Sequence, residues 1–185
     1  MDSYELLRVA GWYPGRQVDT ASGEQALIAA GYRLHDAALA VLAEFSGLTI
    51  SGPEYVIEGR NGPRNRRRQL WIDGVRAAAE CESPGACIDY SEAVGDTLVP
   101  VGCELQTTFM IGETGAVWGA FTDSYAFTAH SCIEAVAVIL VPSDEKWPPP
   151  LMLPFDSAEM LQQRKLQEDR RNQQRDWRRF RRRSR

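Results

Sequence analysis

The run Glu104-Leu105-Gln106-Thr107-Thr108-Phe109-Met110-Ile111, then Gly112-Glu113-Thr114-Gly115, then Ala116-Val117-Trp118-Gly119-Ala120-Phe121 carries the pattern of a β-hairpin. Leu105, Thr107, Phe109 and Ile111 alternate on one side of the first arm, the glycine-flanked tetrapeptide makes the turn, and Val117, Gly119 and Phe121 can pair across it. A helix is expected just beyond. It starts at His130 or Ser131, puts Ile133, Val136, Ala137 and Leu140 on one face, and stops at Pro142.

Working upstream, the period stays near two. Leu48–Ile50, Tyr55–Glu58 and Gln69–Ile72 read as short β-stretches, with a turn at Asn61-Gly62-Pro63. Before Gly47 the period becomes helical: Leu34, Ala38, Val41, Leu42 and Phe45 share one face of a 3.6-residue repeat, and Gly47 is placed to close it. Ser22 with Gln25 reads as a capping box for a shorter helix that includes Ala26, Leu27 and Ala30 and ends at Gly31. Asp2 with Glu5 reads as another, opening a helix through Leu6, Leu7, Val9 and Ala10 that ends at Gly11. Between these two helices, Gly11-Trp12-Tyr13-Pro14-Gly15-Arg16 cannot continue a helix and is expected to be a turn packed onto the body by Trp12.

Helices first, a mainly antiparallel sheet and a closing helix make an α+β domain over residues 1–142. Residues 143–155, with Trp147-Pro148-Pro149-Pro150-Leu151, read as a stiff Pro-rich linker. Residues 156–185 form a Gln/Arg-rich basic tail, expected to be partly disordered or helical.

The net charge of −4 hides two opposed parts. Residues 1–150 hold 10 Lys+Arg against 20 Asp+Glu, a balance of −10, and residues 151–185 hold 11 against 5, a balance of +6. An acidic body repels nucleic acid and favours a basic protein partner. Nucleic acid is left to the tail, where Arg175, Arg178, Arg179, Arg181, Arg182 and Arg183 surround Trp177 and Phe180 in a pattern able to contact phosphates and stack on bases. Arg64, Arg66, Arg67 and Arg68 read as a second, smaller basic loop.

No stretch is apolar enough to span a membrane, and the first residues are acidic where a secretory signal would be basic and then apolar. The expected location is the cytoplasm, with no membrane partner. There the four cysteines, Cys81, Cys87, Cys103 and Cys132, are expected to be free thiols, with Cys103 and Cys132 packed as small hydrophobes. Pro84-Gly85-Ala86-Cys87 lacks the second cysteine of a zinc-deaminase pair, so neither a metal nor another cofactor is expected. Cys132 and His130 are two positions apart on a helix and point apart, His35 reads as a surface or capping residue, and no phosphate-binding glycine motif occurs. The expectation is a protein with no catalytic residues.

Several segments, in order, resemble the third family of the SUKH superfamily, bacterial immunity proteins. Ala10-Gly11-Trp12-Tyr13-Pro14-Gly15-Arg16-Gln17-Val18-Asp19 is similar to its opening AGW-x-P-G-R-x-V-D, and Glu44–Ile50 to EFGGLTI. Leu98–Gly102 is similar to LYPVG, Ile111–Gly119 to IDETGRVYG, and Ser131–Val136 to SFEEAL. Ser46 stands where glycine is usual, Gly112 where Asp is usual and Cys132 where an aromatic is usual. The resemblance implies an α+β domain that binds and neutralises a cognate polymorphic toxin, a nuclease or nucleic-acid deaminase, by protein–protein interaction. Its motif residues Gly11, Trp12, Pro14, Arg16, Gly47, Pro100, Gly102 and Gly115 are expected to be structural, with Arg16 bonding a core carboxylate. The competing reading is a nucleic-acid-binding protein acting through the arginine-rich tail.

Overall fold

The computed structural model describes residues 2–59, 62–121, 124–141 and 151–152. Three helices open the chain: α1 (Ser3–Val9), α2 (Ala21–Ala30) and α3 (Asp36–Phe45). Asp2 caps α1 by accepting from the Glu5 amide at 2.8 Å, as the Asp2/Glu5 spacing predicts. The cap of α2 lies two residues earlier than expected. Thr20 is the N-cap residue, its hydroxyl donates to the Glu24 carboxylate, and Ser22 is exposed within the helix. Asp19 accepts from the Ala21 amide at 3.0 Å, which satisfies a free donor of the first turn and removes the need for Ser22 to do so.

The expected β-stretches merge into one long hairpin, β1 (Leu48–Gly59) and β2 (Gly62–Ile72). Arg64, Arg66, Arg67 and Arg68 therefore lie on a strand, not in a loop. Arg67 pairs with Glu54 at 2.9 Å, and Arg68 donates to the Ile139 carbonyl at 2.8 Å.

A second departure follows β2. No helix was expected between Ile72 and the 107–121 hairpin, yet two, α4 (Gly74–Glu80) and α5 (Pro84–Val94), stand there. Their caps are ordinary: Asp73 accepts from the Arg76 amide at 2.9 Å, Ser83 from the Ala86 amide at 3.3 Å, and Pro84 occupies the first turn of α5. Gly74 of α4 crosses α2 at Gly23 so closely that a Cβ on Gly74 would lie 2.9 Å from the Gly23 Cα, so only glycine permits this packing.

The chain then runs through β3 (Leu98–Glu104), β4 (Thr107–Gly112), β5 (Val117–Phe121) and β6 (Ser124–Ala129) to α6 (Cys132–Leu140) and the two-residue β7 (Leu151–Met152). Among the described residues, the seven strands pair antiparallel and lie in chain order. The 107–121 hairpin forms as read, with Phe109 opposite Gly119 and Ile111 opposite Val117. Leu105 is the exception and belongs to the β3–β4 turn.

α6 packs on β1 and β2 at one end of the sheet and on β6 near the other, so the sheet curls around it. Its buried face is Cys132, Ala135, Val136, Ile139 and Leu140, rotated from the expected one, and Ile133 is half-buried. β3 and β4 are buried on both faces; α3 packs on both strands, and α4 and α5 pack on β3. Pro100 is tolerated in this central strand because the register slips between Pro100 and Gly102, a bulge that relieves the missing donor. At the bulge β3 approaches β2 so closely that a Cβ on Gly102 would lie 2.1 Å from the Trp71 carbonyl oxygen.

Candidate functional site

The N-terminal motif closes on the C-terminus of α3. Trp12 is buried, its indole N–H donates to the Glu44 carboxylate at 2.9 Å, and its ring lies parallel to Phe45 with centroids 6.4 Å apart. Arg16 donates through Nη1 to the Glu44 carbonyl at 2.5 Å and through Nη2 to the Ser46 carbonyl at 2.8 Å. This corrects the expectation of a core carboxylate: the fork of the guanidinium satisfies main-chain carbonyls that a helix end leaves free, where a cation is also favoured by the helix dipole. Pro14 and Gly15 form the turn between Trp12 and Arg16, and Gly11 follows α1 with its amide on the Arg8 carbonyl at 3.0 Å. Gly47 ties the end of α3 to the sheet through its amide and the Ile72 carbonyl, 2.8 Å apart.

Gly115 lies in the β4–β5 turn, and that turn explains the glycine at 112. The Asp96 carboxylate accepts from the Glu113 amide and the Thr114 hydroxyl, each at 2.8 Å. A Cβ on Gly112 would lie 2.0 Å from Asp96 Oδ2, so an aspartate cannot occupy position 112 while Asp96 holds the turn.

The groups with chemical potential are dispersed or buried. Among the described residues, no three His, Cys, Asp or Glu side chains converge as a metal site. All four cysteines are free, and three of them, Cys87, Cys103 and Cys132, are buried. Burial pushes the thiols of Cys81, Cys87 and Cys132 up to about 12 and that of Cys103 up to about 11, which suppresses the nucleophilic thiolate. Cys132 is buried while His130 is exposed beside the Phe127 ring, so the two do not form a pair. His35 caps α3: its Nδ1 accepts from the Ala38 amide at 3.2 Å, and Nε2 lies 3.1 Å from the Thr97 carbonyl and 3.2 Å from that of Ile111. Two carbonyls at Nε2 require that nitrogen to carry the proton.

Arg175, Trp177, Arg178, Arg179, Phe180, Arg181, Arg182 and Arg183 lie outside the described residues, as do Pro142 and all but Leu151–Met152 of the stretch read as linker and tail.

One surface feature was not anticipated. Leu105 and Gln106 join β3 to β4, and Leu105 takes φ +53°, the only positive φ outside glycine among the described residues. A two-residue hairpin ordinarily places Gly, Asn or Asp at this first position, because a larger side chain crowds the following carbonyl at about 1–2 kcal/mol. Leu105 is nevertheless 86% exposed and recovers no packing for that strain. It borders an open groove of about 490 Å³ with Glu104, Gln106, Thr107 and Phe121, and Phe121 is itself 46% exposed. Glu104 is one of the lining residues, and its Oε1 is buried without a hydrogen-bond partner. Burial raises the Glu104 carboxyl above its ordinary value, and Arg68 offsets this only in part.

No helix among the described residues is long and apolar enough to cross a membrane. Comparison with curated proteins and with solved structures returns no match. The profile of the SUKH-3 immunity protein family matches residues 2–141, which spans every helix among the described residues and the first six strands, including the Trp12–Arg16 turn and the Pro100–Gly102 bulge. The chain belongs to the SUKH-3 immunity protein family.

Proposed function

We propose that this protein is a cytoplasmic, non-enzymatic immunity protein that binds a cognate polymorphic toxin through the domain at residues 1–142. Membership of the SUKH-3 immunity family over residues 2–141 is the observation that carries the reading. The charge of the body adds the chemistry of the partner. With a balance of −10 over residues 1–150, long-range attraction speeds encounter with a basic protein. Nucleases and nucleic-acid deaminases are basic where they hold phosphates, so such a toxin fits an acidic inhibitor. The motif residues Gly11, Trp12, Pro14, Arg16, Gly47, Pro100, Gly102 and Gly115 shape the domain and do not touch the toxin in this reading.

The basic tail supports a second reading, in which the arginines around Trp177 and Phe180 bind nucleic acid and the domain is a scaffold. Co-expression with the toxin domain encoded beside this protein separates the two. The full chain and a chain ending at Leu153, which keeps β7, should both restore growth and co-purify with the toxin. Rescue by neither would remove the immunity reading, and rescue by the full chain alone would move the contact to the tail.

A further inference from the structure

Four observations meet at the β3–β4 turn: a bulky apolar residue held outward at positive φ, a half-exposed phenylalanine, an open groove that both line together with Glu104, and on Glu104 a buried carboxylate oxygen with no hydrogen-bond partner. Each is unfavourable in the isolated protein. Strain at Leu105 persists without packing, apolar surface at Leu105 and Phe121 faces water, and an unpaired buried acceptor forfeits its hydration. Such features concentrate where a partner supplies the missing contacts.

We propose that this groove is the anchor pocket for the partner and takes an arginine side chain of the cognate toxin. Its aliphatic stem would lie against Leu105, its planar face against the Phe121 ring, and its guanidinium at the Glu104 carboxylate. The proposal rests on the immunity reading above and names the contact surface within it. Charge complementarity selects the occupant. An apolar peptide would add no counter-charge at Glu104, which lines the groove, and an acidic one would face both that carboxylate and the −10 body, whereas a guanidinium supplies charge, donors and a flat apolar face together.

Three full-length variants test this against the toxin domain encoded beside the protein, with folding followed by circular dichroism. Leu105→Gly removes the apolar anchor while relieving the backbone, so it should keep the fold and weaken toxin binding about thirtyfold. Glu104→Gln keeps the shape, removes the charge and should weaken binding comparably. Val9→Ala removes an apolar group that is 80% exposed outside the groove and should bind as the parent does. If the toxin is bound but Leu105→Gly and Glu104→Gln bind it as tightly as the parent, the pocket is overturned while the immunity reading stands.

If the toxin is not bound at all, the immunity reading falls, and a titration with butylguanidinium followed by amide NMR decides the pocket alone. Shifts at Glu104–Thr107 and Phe121 that Glu104→Gln abolishes would support a guanidinium site, and no shift at millimolar probe would overturn it. A concentration-dependent dimer dispersed by Leu105→Gly would assign the groove to a second copy of this chain and overturn the proposal.

Discussion

The Gly11–Arg16 turn and the Glu104–Thr107 turn handle large apolar side chains in opposite ways. In the first, Trp12 is inward, stacked on Phe45 and hydrogen-bonded to Glu44, and Arg16 satisfies two carbonyls at the end of α3. In the second, Leu105 points to solvent from a left-handed backbone and the neighbouring Glu104 oxygen has no partner. One turn is closed, with its apolar and polar groups satisfied within the fold. The other is open, with strain and desolvation that the fold does not relieve. Residues of the first turn should therefore govern stability, and residues of the second should govern binding with little effect on stability.

The largest separation between the turns is expected from Trp12→Ala. Loss of a buried indole should destabilise the domain by about 3–5 kcal/mol, read as a lower midpoint in urea unfolding. Binding to the toxin domain, measured on the fraction still folded, should be unchanged. Arg16→Ala should follow at about 2 kcal/mol, and Arg16→Lys should recover little of it, since a single ammonium cannot span the two carbonyls of Glu44 and Ser46.

The β4–β5 turn offers an intermediate case. Asp96→Ala removes the acceptor for Glu113 and Thr114 and should lower stability by about 1–2 kcal/mol. Gly112→Asp should also destabilise the protein alone, but much less in the Asp96→Ala background, where the space and the negative charge have been cleared. A double-mutant cycle reads that coupling directly. Additive losses would show that Asp96 is not what excludes a side chain from position 112.

The open turn should give the smallest stability effects. Leu105→Gly exchanges the strain of φ +53° for the greater freedom of an unfolded glycine, so thermal denaturation should show no loss and a gain of at most about 1 kcal/mol. Glu104→Gln should show a pH signature. Burial raises the folded carboxyl above its unfolded value, so between those two values the folded state holds a proton that the unfolded chain has released. Stability contributed by this group therefore falls as pH rises through that window, and the variant should gain on the parent over the same interval. A constant difference between the two across that range would contradict the desolvated state of Glu104.

Much of the fold was legible because local signals agreed with tertiary need. The Asp2 cap, the α3 stripe and the 107–121 hairpin each join a turn or capping residue to a periodic apolar pattern. α4 and α5 lacked that second signal. α5 buries only Cys87 and Tyr90 among its 11 residues and begins Pro84-Gly85, which reads as a loop unless Ser83 is recognised as a cap with proline in the first turn. The basic segment at 64–68 looked like a loop for a related reason: its side chains are largely exposed, so the strand shows no apolar alternation, and its conformation comes from pairing with β1.

The candidate groove was the least legible part. Leu105 continues the alternation of Thr107, Phe109 and Ile111, and only the pairing of Glu104 with Thr107 places it in a two-residue turn instead. Strain and an unpaired oxygen are properties of that register, which composition and periodicity do not carry.

Hydrogen–deuterium exchange of the full chain, with and without the toxin domain encoded beside it, locates the contact without any substitution. Slowed exchange should concentrate at Glu104–Thr107 and around Phe121, with the Gly11–Arg16 turn unchanged and no new protection over residues 175–183. Protection confined to residues 175–183, with the β3–β4 turn exchanging as in the free protein, would contradict binding through the acidic domain and move recognition to the arginine-rich tail.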